Sequence, residues 1–161
     1  MNQDCYLCKR IAEIEDGTNP HFVAELETGY VMMGDHQFFR GYALFLCKQC
    51  VPELHELPED FKSKFLAEMS LVAEAAFNAF KPRKMNYELL GNTVPHLHWH
   101  LFPRHADNPN PQRPVWEIAR AITESEDARP SREKLNALKH TLLAKLEKLA
   151  GAEILRRAEC K

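Results

Sequence analysis

Four short runs rich in apolar residues and bounded by turns, and a fifth run in which apolar residues alternate with polar ones, have the patterns of β-strands. They predict strands over residues 22–26, 30–34, 42–47, 85–90 and 94–104. Residues 27–29 form a turn between the first two runs, so the second strand returns beside the first. The pattern therefore predicts a sheet of about five strands.

A second period, with apolar residues every three or four positions, predicts helices. The longest begins at Pro58, ends at Pro82 and carries Phe61, Phe65, Met69, Val72, Ala76 and Phe80 on one face. Shorter helices are predicted over residues 4–16 and 115–122, and Ser131 can cap a last helix rich in leucine. Strands and helices in this order place the chain in the α+β class.

The last predicted strand holds three alternating histidines, His96, His98 and His100. On a strand their side chains lie on one face, and the opposite face carries Leu97, Trp99 and Leu101, which can pack into a core. The outer two histidines would lie about 13 Å apart, which is too far for all three to bind one metal ion easily. Separate tasks for the three histidines fit this spacing better, since a neutral imidazole can act as a nucleophile or handle protons.

Two C-x-x-C pairs, Cys5–Cys8 and Cys47–Cys50, indicate a metal site. From spacing alone they predict a zinc ion held by four thiolates. The rival interpretation, a redox pair at Cys5 and Cys8, would require a preceding strand, for which position 5 leaves no room. Cys160 stands alone and has no predicted role.

The composition is that of an ordinary globular protein, with 161 residues, 45% hydrophobic residues and a formal net charge of −2. Because the charge is nearly balanced, no basic field favours a nucleic-acid polymer as partner. No apolar run approaches the roughly 18 residues of a membrane span. We expect a cytoplasmic protein that does not bind membranes.

The segment His96-Leu97-His98-Trp99-His100-Leu101-Phe102 resembles the signature of the histidine-triad (HIT) family. Residues 34–41 and 86–92 resemble the branch of that family that hydrolyses dinucleoside polyphosphates of the diadenosine tetraphosphate type. The N-terminal C-x-x-C resembles its zinc-bearing members. The resemblance implies an antiparallel sheet of about five strands with one long helix and C-terminal helices. The resemblance covers roughly residues 4–104. We expect residues 1–106 to form the catalytic domain and residues 107–161 to pack on it as a loop and helical extension.

The resemblance implies hydrolysis or transfer of nucleotides through a nucleotidyl-histidine intermediate, with a dinucleoside polyphosphate or a phosphoramidate as substrate. The middle histidine of the family signature is the nucleophile, which corresponds to His98. His100 would donate hydrogen bonds to the phosphate and help to protonate the leaving group. Further substrate contacts are implied at Asp35, Asn92 and Thr93, although Gly91-Asn92 replaces the Gly-Gln of many members.

For the metal, the resemblance implies a structural zinc with a ligand set different from four thiolates. Its ligands would be Cys5, Cys8, Cys50 and His96, with Cys50 in place of a histidine of other members. Cys47 and His55 remain alternative ligands. The resemblance implies homodimers and no organic cofactor.

Two other functions are compatible with the sequence. The chain could be a non-catalytic nucleotide-binding module stabilised by zinc, or the histidine strand could itself hold a catalytic metal. An intact triad favours the enzyme, because a module that only binds has no need of a bare histidine at position 98.

Overall fold

The computed structural model describes residues 5–159, and its centre is one antiparallel sheet. Six strands follow one another in space as β4-β5-β3-β2-β1-β6. Their bounds are β1 Phe22–Glu25, β2 Gly29–Met33, β3 Ala43–Cys47, β4 Lys84–Glu88, β5 His98–Arg104 and β6 Arg156–Arg157. The histidine strand β5 is therefore an interior strand, hydrogen-bonded to β3 on one side and β4 on the other.

Four α-helices surround this sheet: α1 Tyr6–Glu15, α2 Glu59–Phe80, α3 Arg120–Thr123 and α4 Arg132–Leu146. Short 3-10 turns occur at Leu54–Glu56, Val115–Glu117 and Glu126–Ala128. None of the helices within residues 5–159 combines the length and the apolar character needed to cross a membrane.

The two faces of the sheet have different neighbours because side chains alternate along each strand. One face packs against α2 and α4 and forms the main core, which includes Phe45, Leu97 and Leu101. The other face packs against α1 through Met32 and Leu46 and carries the side chains of His98 and His100. The predicted division of β5 into a core face and a histidine face is confirmed.

Helix α2 begins and ends as predicted. Glu59 and Asp60 lie in its first turn, where carboxylates are favoured by the helix dipole. It ends at Phe80, because Lys81 adopts a left-handed conformation (φ 51°) just before Pro82. In its middle, the buried Glu68 carboxylate accepts hydrogen bonds from the backbone N–H groups of Glu27 and Thr28, which ties the helix to the β1–β2 turn.

The predicted α+β class and antiparallel sheet are confirmed, and the differences lie at short elements. β6 is a sixth strand of only two residues that pairs with β1, and so short a strand leaves no periodicity in the sequence. The strand predicted from residue 94 begins only at His98. Pro95 has no N–H to donate, and the His96 N–H bonds to the Val94 carbonyl at 2.8 Å, so the chain bends there.

The helix predicted over residues 115–122 is divided into a 3-10 turn and α3. Ile118 and Ala119, between the two pieces, have extended conformations. The predicted last helix, α4, begins after Ser131, whose hydroxyl accepts a hydrogen bond from the Lys134 N–H. It packs against α2 and β1, so residues beyond the histidine strand complete the main core.

Candidate active site and metal centre

The side chains of His98 and His100 meet on the α1 side of the sheet. The pairing of β5 with β3 places His98 opposite Leu46 and His100 opposite Leu44. The Nε2 atoms of the two imidazoles lie 3.0 Å apart, and His98 is only 7% exposed. An interior strand with neighbours on both sides holds this pair rigidly.

A chain of hydrogen bonds passes through both imidazoles and determines where their protons lie. His98 Nδ1 donates to the His96 carbonyl oxygen at 2.5 Å, so its Nε2 has no proton in the neutral ring. His100 Nε2 must then be the donor in its 3.0 Å contact with His98 Nε2. This leaves His100 Nδ1 as an acceptor, and the hydroxyl of Tyr42 donates to it at 2.6 Å.

The electrostatics of the pair keep both rings neutral. Burial, followed by the charges of His98 and Arg120, lowers the pKa of His100 to about 4. Burial is also the main cause that lowers the pKa of His98. The pKa of the Tyr42 hydroxyl is raised, chiefly by burial, so Tyr42 keeps its proton. At neutral pH the arrangement therefore presents one unprotonated ring nitrogen, His98 Nε2, whose lone pair can attack an electrophile.

Tyr42 is a site residue that the sequence analysis did not single out. It precedes β3 and stacks against Phe102 at a ring-centroid distance of 4.2 Å, and Phe102 lies on the same face as His100. An aromatic residue at the start of an apolar strand is most often part of the core. Only the pairing of β3 with β5 brings its hydroxyl to His100, and that register is not visible in the sequence.

The three predicted substrate residues lie in two different settings. Asp35 follows β2 and is partly exposed, and its carboxylate is 3.0 Å from Arg10 Nη2 and 3.5 Å from His21 Nε2. It is near enough to Tyr42 that its charge contributes to the raised pKa of that hydroxyl, after burial. Asn92 and Thr93 are exposed in the bend that leads from β4 to His96.

A second cluster lies next to the histidine pair and joins three parts of the chain. Ligand atoms of Cys5, Cys8, Cys50 and His96 all lie within 4.8 Å of one another. Cys5 and Cys8 come from the start of α1, Cys50 from the loop after β3, and His96 from the bend before β5. The structure thus brings together the four residues that the family resemblance implied.

The geometry of this cluster fits a tetrahedral zinc site. Zinc–sulfur and zinc–imidazole bond lengths imply a sulfur–nitrogen edge of about 3.6 Å in a tetrahedron. His96 Nδ1 lies 3.5 Å from Cys5 Sγ and 3.6 Å from Cys8 Sγ. The other ring nitrogen, Nε2, donates to the Cys47 carbonyl at 2.8 Å, which leaves Nδ1 unprotonated and oriented toward the thiols. Three thiols and one imidazole are a donor set that zinc accepts, and they support a structural zinc.

The four-thiolate arrangement is wrong, because the Cys47 side chain lies on the other face of the sheet. Cys47 is fully buried in the core beside α2, and burial raises the pKa of its thiol to about 11. The alternative ligand His55 is exposed in the 3-10 turn and is not part of the cluster. Cys47 is the last residue of β3 and lies on the core face of the sheet. Cys50 lies in the loop after β3, where its thiol joins the metal cluster.

Replacing a ligand should remove the metal, whereas replacing the neighbouring core cysteine should not. We expect Cys50→Ala to lose the bound zinc, because three ligands hold the ion far less tightly than four. Cys47→Ala is the matched control and should keep one zinc per chain. Elemental analysis of the purified variants measures this, and zinc retained in Cys50→Ala but lost in Cys47→Ala would contradict the assignment.

Comparisons with known proteins agree with this fold. A histidine triad protein from Marinobacter aquaeolei VT8 is 26% identical with a TM-score of 0.67, covering 81% of this chain and 90% of that chain. A zinc-bound histidine triad family protein from Mycobacterium smegmatis is 22% identical with a TM-score of 0.63, and the match covers 90% of this chain and 94% of that chain. A hypothetical histidine triad nucleotide-binding protein from Sulfolobus tokodaii is 19% identical with a TM-score of 0.67, and the match covers 87% of this chain and 92% of that chain.

A model of the HIT domain matches residues 18–107, a region that includes the histidine pair, Tyr42 and two of the four metal-cluster residues. Comparison with curated protein sequences gives no significant match. The family includes nucleotide hydrolases and nucleotidyl transferases. Since the match spans more than half of the chain and contains the complete motif from His96 to Phe102, the chain belongs to the HIT family.

Proposed function

We propose that this protein is a nucleotide hydrolase or nucleotidyl transferase whose nucleophile is His98. The observation that carries the proposal is the unprotonated Nε2 of His98, which the Nδ1 hydrogen bond to the His96 carbonyl creates. The substrates are nucleoside phosphate derivatives, either dinucleoside polyphosphates such as diadenosine tetraphosphate or nucleoside phosphoramidates. Both classes offer an electrophilic phosphorus with a leaving group that an imidazole can displace.

The reaction proceeds in two displacements at the same phosphorus. In the first, the lone pair of His98 Nε2 forms a bond to phosphorus, and the bond to the leaving group breaks with its electron pair. A leaving oxygen departs as a phosphate anion, whereas a leaving nitrogen takes up a proton from solvent and departs as an amine. In the second, a water oxygen, or another acceptor in a transferase, attacks phosphorus and the bond to Nε2 breaks. The water releases its proton to solvent, and His98 returns to its neutral form. Dividing one difficult step into two easier ones is the advantage of covalent catalysis.

The role of His100 is that of a hydrogen-bond donor rather than an acid. With a pKa of about 4 its ring holds a single proton, on Nε2, which in the free enzyme points at the nucleophile. When phosphorus approaches His98, this N–H can turn to a phosphate oxygen and stabilise the charge that develops there. Giving up the proton would require Tyr42 to supply another, and the raised pKa of that hydroxyl opposes this.

The remaining site residues act on the substrate and on the scaffold. Asp35 accepts hydrogen bonds from ribose hydroxyls, and its ion pair with Arg10 orients the carboxylate. Asn92 and Thr93 donate to phosphate oxygens from the bend before the triad. A zinc ion held by Cys5, Cys8, Cys50 and His96 would have a structural role, and the similar protein from Mycobacterium smegmatis is zinc-bound. It would restrain His96, whose carbonyl is the acceptor that sets the proton position on His98.

Removal of the proposed nucleophile should abolish turnover and leave nucleotide binding intact. We expect His98→Asn to reduce kcat by 10³-fold or more, on the order found for other nucleophile replacements. The amide nitrogen of asparagine can still donate to the His96 carbonyl, so the fold should be kept. Product release from diadenosine tetraphosphate and from adenosine 5′-phosphoramidate measures the effect, with His55→Asn on the surface as control.

Two results of that experiment contradict the proposal. Turnover that persists in His98→Asn would exclude His98 as the nucleophile. Nucleotide affinity without turnover of either substrate by the wild type would instead favour the non-catalytic binding module.

Tyr42→Phe tests the tautomer of His100 separately from the nucleophile. The ring that stacks on Phe102 is kept and only the donor to His100 Nδ1 is lost. One lost hydrogen bond should reduce kcat by about tenfold and change KM little, because the N–H of His100 acts mainly in the transition state. Nitrogen NMR of the imidazole should show part of His100 changing to the Nδ1–H form.

The matched control is Tyr30→Phe, which removes a hydroxyl bonded to Glu15 on the α1 side of β2. We expect that variant to keep the wild-type kcat and the wild-type His100 spectrum. An unchanged kcat together with an unchanged His100 spectrum in Tyr42→Phe would show that the tautomer does not depend on Tyr42.

A further inference from the structure

The side chain of Arg104 anchors the segment after residue 107, where the HIT-domain match ends, to the histidine strand. This arginine, at the end of β5, is only 2% exposed. Its guanidinium donates to the Arg113 carbonyl at 2.6 Å and to the Asn110 carbonyl at 3.2 Å. A buried guanidinium with several acceptors is a strong anchor, since breaking any one of these bonds leaves a buried N–H group without an acceptor. Residues 110–113 are therefore held against the sheet.

Apolar contacts continue this attachment next to the histidine pair. Val115 and Ile118 are buried against Phe39, and the same small core includes Tyr42 and Phe102. These two aromatic residues stack on each other, and Tyr42 is the partner of His100. Further along, the Gln37 N–H donates to the Ala128 carbonyl at 2.6 Å. Residues 119–127 thus lie between two points of attachment, Ile118 in the small core that includes Tyr42 and Ala128 on the backbone of Gln37.

Arg120 is the cation that this fixed segment brings to the site. Its side chain is 77% exposed, and its guanidinium forms two hydrogen bonds, of 2.9 and 3.2 Å, with the carboxylate of Glu124. Two residues before it, Ile118 packs in the small core that includes Tyr42, the hydrogen-bond partner of His100. In keeping with that position, the positive charge of Arg120 contributes, after burial and the charge of His98, to the lowered pKa of His100. An exposed ion pair of this kind is worth little, so another anion can replace Glu124 at low cost.

The proposed chemistry needs such a cation. A polyphosphate chain carries several negative charges, whereas His98 and His100 are neutral hydrogen-bonding groups. A guanidinium binds phosphate oxygens through two parallel N–H groups and supplies the missing positive charge.

We propose that Arg120, which lies outside the matched HIT domain, leaves Glu124 and binds phosphate groups of the substrate beyond the reacting phosphorus. The inference rests on the proposed function and narrows its substrate class to dinucleoside polyphosphates. A phosphoramidate has no further phosphate, so Arg120 adds little to its binding. The segment after β5 thereby determines specificity, and Glu124 competes with the substrate for the same cation.

The test compares Arg120→Gln with a matched arginine on the full-length zinc-containing protein. We expect Arg120→Gln to reduce kcat/KM for diadenosine tetraphosphate by about tenfold or more, the usual effect of losing one charge-assisted contact, and to leave adenosine 5′-phosphoramidate within about threefold. Arg113→Gln is the control, because Arg113 also pairs with a glutamate four residues later, Glu117, at 3.0 Å. In Arg113→Gln, kcat/KM for both substrates should stay within about twofold of the wild-type value.

Glu124→Gln should have the opposite effect on phosphate binding. Freed from its partner, Arg120 should bind phosphate more readily, and KM for diadenosine tetraphosphate should fall. Calorimetric titration with inorganic tripolyphosphate measures the same contact without turnover. We expect its affinity to fall about tenfold in Arg120→Gln and to rise in Glu124→Gln.

The outcomes separate this inference from the proposed function. Turnover that depends on His98 but responds equally to Arg120→Gln and Arg113→Gln would overturn the role of Arg120 alone. Equal losses on the tetraphosphate and the phosphoramidate would also overturn it, since they would indicate a structural effect. Tripolyphosphate affinity that depends on Arg120, in a protein that turns over neither substrate, would support the inference and overturn the proposed function.

Discussion

The hydrogen bond from His98 Nδ1 to the His96 carbonyl is the constraint on which the rest of the site depends. A carbonyl oxygen can only accept, so this bond places the proton of the neutral ring on Nδ1 and leaves Nε2 bare. The proton positions on His100 and Tyr42 follow from it. Burial prevents either imidazole from acquiring a second proton near neutral pH, because it lowers the pKa of both.

The acceptor of that bond is itself held by the metal cluster. The His96 ring lies between the thiols of α1 and the Cys47 carbonyl, so its backbone is restrained where the chain bends into β5. His96 of the cluster and His98, the proposed nucleophile, are thus two residues apart in the chain, and we assign them different tasks. A zinc ion bound to Cys5, Cys8, Cys50 and His96 would have no position open for substrate, in keeping with a structural role.

Sequence patterns with a fixed period predicted the regular secondary structure of the molecule. Alternation gave the core face and the histidine face of β5, and the three- to four-residue period gave α2 almost to the residue. Tyr42 was missed because its function arises from the pairing of β3 with β5, which depends on contacts between distant residues. The choice of Cys50 over Cys47 came from the family resemblance, whereas the spacing alone favoured four thiolates. The proposed role of Arg120 has no local sequence motif for a similar reason, because it rests on the attachment of the following segment to the sheet through the buried Arg104.

The covalent intermediate is the most direct test of this mechanism. Full-length protein mixed with diadenosine tetraphosphate would be quenched in base within one turnover, digested and analysed by tandem mass spectrometry. A nucleotidyl group linked to the ring of His98, absent from His98→Asn, is the expected result, because a phosphorus–nitrogen bond to imidazole survives in base. Steady turnover with no adduct, or an adduct on His100 or another residue, would contradict the assignment of His98 as the nucleophile.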